Sequence, residues 1–457
     1  MAEKTFTIEG AIITLMAEKK YATLRDILST MNPSDVAAVF EDLDDISLLP
    51  LLFRLLPKEL AAEAFVEMEA ENQELLIRGF SDTELKELVD ELYVDDAADL
   101  VEEMPSNVVK RILRQADPET RRMINEILQY PEKSAGSIMT TEFVSLRPRM
   151  TVEDAEKRIR RTGVDKATIN TCYVTDQGKL IGAISIRTLI LSDHDDVIGE
   201  IMEDNVISVN TATDQEDVAK MFSKYNFNAL PVVDTEDRLV GIVTVDDAVD
   251  VMEEEATEDM EIMAAMTPSE RPYLYTGVLE TWKSRIPWLM LMMLSSTLTG
   301  LVLTHFEDKL AACLILSSFI PMITGTGGNG GTQASVSVIR GLALGEIEFS
   351  DILTVIWKEL RVSLLCGVCL AVVNFGKMLL VDMLWLQNGT TPLIAAAVCL
   401  TLVCVIFLAK LVGCTLPIFA QKLGFDPAVM ASPFITTIVD VLGLLAYFRI
   451  ASALLHL

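Results

Sequence analysis

Asp440 is the residue whose surroundings demand a chemical explanation first. It lies in Ala431-Ser-Pro-Phe-Ile-Thr-Thr-Ile-Val-Asp-Val-Leu-Gly-Leu-Leu-Ala-Tyr-Phe448, with apolar residues on both sides. On a helix Ser432, Thr436 and Asp440 recur at i, i+4 and i+8 and share a face. Such a stripe offers the oxygen ligands that hard cations prefer. The alternative is a carboxylate neutralised by an intramembrane lysine, with Lys377 and Lys410 as the candidates. Lys410 lies well inside its apolar stretch, whereas Lys377 stands near an end, where a lysine can snorkel. A second unusual run, PMITGTGGNGGTQASVSVIRGLALGEI over 321–347, adds the side-chain oxygens of Asn329, Thr332 and Gln333. Its Pro and glycines either break a helix beside a watery cavity or let neighbouring backbones approach closely.

A third feature is pure charge. Between Arg238 and Arg271 there is no Lys or Arg, yet Asp246, Asp247, Asp250, Glu253, Glu254, Glu255, Glu258, Asp259 and Glu261 crowd positions 246–261. Val249, Met252, Ala256, Met260 and Met263 recur at helical spacing, so the segment reads as a helix. Like charges at i, i+4, such as Asp250/Glu254 and Glu254/Glu258, each destabilise it by about 0.2–0.5 kcal/mol. A bound divalent cation relieves that repulsion, and a solvated linker helix tolerates it. Charge alone does not choose between them.

The elements that carry these residues divide the chain into two physical regimes. Of 67 acidic and 37 basic residues, ten of each fall in 273–457, so the whole excess of −30 lies in 1–272. The anionic part argues against nucleic acid, which needs Lys and Arg to neutralise phosphate. It suits cations or a basic partner. The neutral part holds five apolar stretches, roughly 286–304, 310–339, 353–381, 392–420 and 429–455, each long enough to cross a bilayer. Lys283, Arg285, Arg340, Lys358, Arg361 and Lys422 mark one side, and only Lys309 marks the opposite connections. The positive-inside rule then places the N-terminus in the cytoplasm and the C-terminus outside the cell. Six of seven cysteines lie in the apolar stretches and read as packing residues, and the three histidines are scattered. MAEKTFTIEG carries no signal-peptide pattern.

Within the acidic part, residues 1–131 read as stacked short helices, for example 33–44, 57–69 and 94–105, with Pro or Asp at their starts. Residues 132–245 alternate helix and strand as an internal repeat. SIMTTEFVSLRPRMTVEDA (137–155) parallels EIMEDNVISVNTATDQEDVA (200–219), and CYVTDQGKLIGAISIRTL (172–189) parallels LPVVDTEDRLVGIVTVDDAV (230–249). The two β-α-β-β-α units, about 132–199 and 200–245, resemble a tandem CBS pair, a module that often binds adenine nucleotides between its halves. The Thr/Ser-x-x-Asp that holds a ribose in CBS units is present as Thr244-Val-Asp-Asp247. The first repeat has Ser185-Ile-Arg-Thr188 and lacks the Asp. One ATP site is therefore in question, and Asp247 remains open to either a ribose or a metal.

The run from Pro321 through Gly327-Gly-Asn-Gly-Gly-Thr-Gln333 to Arg340-Gly-Leu-Ala-Leu-Gly-Glu346, and the pattern Pro433-Phe-Ile-Thr-Thr-Ile-Val-Asp440, resemble the signatures of MgtE-type magnesium channels. The likeness extends over the whole chain. It implies a multidomain membrane protein: an all-α superhelical N-terminal domain (1–131), an α/β tandem CBS pair, an acidic connecting plug helix (246–272) and a five-helix transmembrane domain (273–457). It also implies a homodimer in the cell membrane. In that family Mg²⁺ bridges the plug to the CBS and N domains and closes the channel. The matching carboxylates here are Asp247, Asp250, Glu255, Glu258 and Asp259, with Asp95, Asp99 and Glu216 as further candidates. Asp259 stands where the family pattern leads one to expect Glu. In the pore, Asp440 with Thr436, Ser432 and Asn329 is expected to position a hydrated ion. With no P-loop and no nucleophile–base pair, the expectation is passive transport and not enzymatic catalysis.

Overall fold

Strong start signals build the N-terminal helices. Ser81 and Glu84 form a reciprocal capping box, each side chain accepting from the other's backbone N–H. Asp117 accepts from the N–H groups of Glu119 and Thr120, and Pro33 and Pro118 open their helices. The computed structural model describes residues 8–43, 45–269, 273–274, 276–430 and 432–456. Among them, ten helices from α1 (Ile8–Ala17) to α10 (Pro118–Ile127) precede the first strand. Their apolar faces merge into one core that includes Leu24, Leu52, Phe65, Leu76, Leu85, Ala97 and Ile112. Helix α8 (Val94–Glu103) buries Val94, Ala97, Ala98, Leu100 and Val101 there, and Asp95, Asp96 and Asp99 share the same helix.

The internal repeat is realised as two matching sheets. In the first, β1 (Ser145–Leu146) runs parallel to β2 (Thr171–Asp176), which pairs antiparallel with β3 (Lys179–Ser185). In the second, β4 (Val209–Asn210), β5 (Ala229–Val233) and β6 (Leu239–Thr244) repeat that order. Helices α11 (Val152–Thr162), α12 (Ile186–Leu191), α13 (Ile198–Ile201) and α14 (Gln215–Tyr225) complete the units. The halves interlock reciprocally. Gly182 of β3 faces Met202 of the second half, and Gly241 of β6 faces Met139 of the first; a methyl group at either glycine would overlap the thioether. Helix α15 (Val245–Met263) follows β6 without a break, as the periodicity predicts.

The chain divides into two compact units, Met1–Met252 and Glu253–Leu457, and the division falls within α15. The second unit contains α16 (Val278–His305), the short α17 (Glu307–Ala312), α18 (Ile320–Ala343), α19 (Ile352–Lys377), α20 (Pro392–Lys422) and α21 (Ser432–Leu455). Helix α20 is central: it packs against α18, α19 and α21, and α18 also packs against α21. Among the described residues, four helical stretches are long and apolar enough to cross a membrane: Val278–His305, Phe349–Trp385, Pro392–Lys422 and Pro427–Leu455. The stretch expected at 310–339 differs. Pro321, in the first turn, marks a helix start, so α18 begins at Ile320 and extends to Ala343. Its middle is Gly, Thr, Asn and Gln rather than aliphatic, so it falls outside that apolar set.

Candidate functional site

In the first unit α8 gathers carboxylates close enough to raise one another, with Asp95 and Asp96 half-buried and Asp99 exposed. One oxygen of Asp95, Oδ1, is buried and meets no hydrogen-bond donor among the described residues. Burial pushes this carboxyl well above the usual range, reinforced by the charges of Asp96, Asp247 and Glu142. Asp96 is pushed up to about 7 by burial and then by Asp247 and Glu142. Asp99 also rises to about 7, through the protein around its carboxyl and then through Asp96, Glu102 and Asp247. Asp99 keeps exposed surface, so water screens it more than the other two. Glu142 rises through its own burial while accepting hydrogen bonds from Thr140 Oγ1 at 2.9 Å and from the Val94 N–H at 3.3 Å; the charge of Lys166 offsets that rise only in part.

Asp247 belongs to this cluster through the start of α15. Burial raises its pKa, against the pull of Thr244. Thr244 Oγ1 donates to Asp247 Oδ2 at 2.5 Å, and the Thr244 N–H reaches the same oxygen at 3.3 Å. The Thr-x-x-Asp motif thus closes on itself at the start of α15 and presents a hydroxyl and a carboxylate together. The equivalent turn of the first repeat holds only hydroxyls, Ser185 Oγ and Thr188 Oγ1, 2.9 Å apart. Glu216 stands elsewhere, on the first turn of α14, in an ion pair with Lys220 at 2.9 Å. Asp250 lies in this unit, and Glu255, Glu258 and Asp259 lie beyond Met252 in the second unit, all on α15. Among the described residues no three His, Cys, Asp or Glu side chains converge on a direct metal site.

In the second unit the glycine run takes the second of its two alternatives: α18 is an unbroken helix, and its glycines are contact points. A side chain at Gly327 would strike Val405 and Val439, and one at Gly331 would strike Ile435. Gly413 of α20 sits directly on the Gly331 carbonyl, leaving no space for a Cβ. Gly328 faces the Thr436 side chain, whose Cγ2 would stand 3.1 Å from an added Cβ. The seam thereby sets α18 against the face of α21 that bears Thr436. One turn on, Asp440 Oδ1 is buried and meets no hydrogen-bond donor among the described residues. Both candidate lysines are engaged elsewhere, Lys377 with Asp382 at 2.8 Å and Lys410 with Glu359 at 3.3 Å. Asp440 is therefore not the partner of either. Ser432 opens α21, and its side chain lies outside the described residues. Asn329 is exposed, as are Gln333 and Ser337 at successive i+4 steps, so α18 turns a polar face away from this chain.

A family model described as divalent cation transporter matches residues 320–450. The MgtE intracellular N domain matches 31–133, and CBS domains match 135–195 and 198–254. The magnesium transporter MgtE of Thermus thermophilus is 38% identical over 437 residues, 95% of each chain. The chain belongs to the MgtE family. The magnesium transporter MgtE of Bacillus subtilis is 32% identical across 97% of each chain. A solved structure, the cytosolic domain of the Mg²⁺ channel MgtE in complex with ATP, is similar to 53% of this chain at 37% identity and a TM-score of 0.51, over all of its own length. This MgtE-family chain therefore stands among transporters and not among enzymes.

Two members of the acidic cluster, Asp96 and Glu142, escape a reading based on motifs. Asp96 is visible in the sequence as one more acid beside Asp95. Glu142 lies 48 residues from the Val94 N–H that it accepts, and no local pattern announces such a contact.

Proposed function

We propose that this protein is a passive, Mg²⁺-selective channel of the cell membrane, closed by Mg²⁺ accumulating in the cytoplasm. The observation that carries the reading is Asp440 Oδ1, buried without a donor among the described residues, on a helix whose neighbour is set by a glycine seam. A desolvated carboxylate with no lysine partner is stabilised by a passing cation. Thr436, Ser432 and Asn329 supply the remaining oxygens to a hydrated ion. The polar face of α18, with Asn329, Gln333 and Ser337, is unsuited to lipid and favours α18 as a fifth span at the interface of a homodimer, where two copies enclose the pore. The N-terminus is cytoplasmic and the C-terminus outside, by the distribution of Lys and Arg. Pairing of Lys410 with Glu359 counts against an anion pathway.

Regulation follows by linkage. Asp95, Asp96, Asp99 and Asp247 repel when ionised, and Mg²⁺ held through its waters relieves the repulsion and favours the closed arrangement. Asp250, Glu255, Glu258 and Asp259 on α15 and Glu216 on the CBS pair extend the sensing surface. A ligand shifts such an equilibrium only by its differential affinity for the two states. ATP, present in the solved relative's cytosolic domain, is assigned to Thr244 and Asp247. The deciding measurement is Mg²⁺ uptake into liposomes by wild type, Asp440→Ala, and a triple Asp247→Ala, Asp250→Ala, Glu255→Ala variant. Loss of uptake in the first variant and persistent uptake at high internal Mg²⁺ in the second support the reading. Normal uptake by Asp440→Ala would remove the pore assignment, and absence of uptake by the wild type would leave a membrane-anchored Mg²⁺ sensor.

A further inference from the structure

The transport reading gives Glu359, in the buried ion pair between α19 and α20, no part in cation passage. Lys410 and Glu359 are 7% and 13% exposed at the side chain, with Nζ 3.3 Å from Oε2. Removing two charges from water is unfavourable, and such pairs are weak contributors to stability. Their placement is more informative. Glu359 lies seven residues into α19 and Asp440 eight residues into α21, about 10 and 12 Å along helices that start on the same side. Lys410 follows Ala409, whose carbonyl faces Gly331; Gly331 in turn abuts Ile435 and Val439, the latter the neighbour of Asp440. The pair thus sits behind the helix seam at the depth of the carboxylate.

We propose that Glu359 is a positioning residue for transport, cancelling the charge of Lys410 so that the lysine does not repel a divalent cation at Asp440. Lys410 without Glu359 places a positive charge in a low-dielectric wall, where its repulsion acts with twice the force on a divalent as on a monovalent ion. The two halves of the pair are therefore unequal. Without Lys410, the wall carries no positive charge, and an unpaired Glu359 does not repel a cation. Without Glu359, the cation remains. A contact that merely ties α19 to α20 would instead suffer equally from loss of either member.

The inference rests on the Mg²⁺ reading of Asp440, and the experiment separates the two. Mg²⁺ uptake is measured in liposomes against external Mg²⁺ for wild type, Glu359→Gln, Lys410→Met, the double variant and Glu359→Asp, after gel filtration of each. Glu359→Gln should raise the half-saturating Mg²⁺ concentration about tenfold. Lys410→Met and the double variant should stay within about twofold of wild type. Glu359→Asp, which withdraws the carboxylate by one methylene, should fall between, and it carries the test if Glu359→Gln does not fold. Equal impairment of Glu359→Gln and Lys410→Met, or a double variant no better than Glu359→Gln, would overturn the proposal. If Glu359→Gln is lost to misfolding, wild-type behaviour of Glu359→Asp overturns it. Absence of Mg²⁺ uptake by the wild type would instead defeat the transport reading itself.

Discussion

Replacing Asp96 with Asn should stabilise the N-terminal region at neutral and alkaline pH while blunting its response to Mg²⁺. Asp96 is raised from 3.8 to about 7, first by burial and then by Asp247 and Glu142. That difference corresponds to about 4 kcal/mol between the two protonation states, an upper bound for a group that keeps some contact with water. The folded protein holds the proton more tightly than the unfolded chain, so stability from this group is complete below pH 3.8 and declines as pH rises to about 7. Above that it stays low unless a cation takes the place of the proton. Hydrogen exchange along α8 in the full-length, detergent-solubilised protein reads this directly, with rates corrected for the intrinsic effect of pH. In Mg²⁺-free buffer, wild-type protection should fall between about pH 5 and about pH 8 by a factor of roughly ten to a thousand. Mg²⁺ at about a hundred times its dissociation constant should restore about 2.7 kcal/mol. Asp96→Asn should show a flatter pH profile and a smaller gain from Mg²⁺. Identical profiles for the two proteins, or full Mg²⁺ protection in the variant, would refute the idea that like-charge burial powers the sensor.

Two further outcomes follow from geometry. Gly413→Val should force α20 away from the Gly331 carbonyl, destabilising the membrane unit by about 1–3 kcal/mol and lowering Mg²⁺ uptake; a lower melting temperature and reduced flux check it, whereas Gly376→Ala, where nothing stands within 4 Å, should leave both unchanged. Glu84, hydrogen-bonded to Arg54 and to the Ser81 N–H, is held down to about 2. Its contribution is present above pH 4.5 and is lost as pH falls towards 2, so Arg54→Met should narrow the acid tolerance of the N-terminal helices, measurable by circular dichroism.

Much of this architecture is legible because its signals are local. Helix starts at Pro33, Ser81 and Pro118 announce themselves within a turn, and the CBS repeat declares itself by parallel segments. The signal at α18 is less direct. A run of Gly, Thr and Asn is compatible with a broken helix or a close-packed one, and only the facing residues Val405, Ala409, Gly413 and Ile435 decide between them. Periodicity places Asp440, Thr436 and Ser432 on one face but is silent about what occupies the lysines. That answer requires Glu359, 51 residues from Lys410.

The sequence by itself determined the order of regions, the acidic excess before Tyr273, the helical phase of the Asp440 stripe and the missing Asp in the first CBS turn. These are properties of composition and spacing, carried along a single strand of chain. Tertiary structure alone decided that Glu142 joins Asp95 and Asp96, that Lys410 belongs to Glu359, and that Gly331 bears on Gly413. Burial and Coulomb interactions depend on distance in space, and residues dozens of positions apart acquire a distance only when the chain packs.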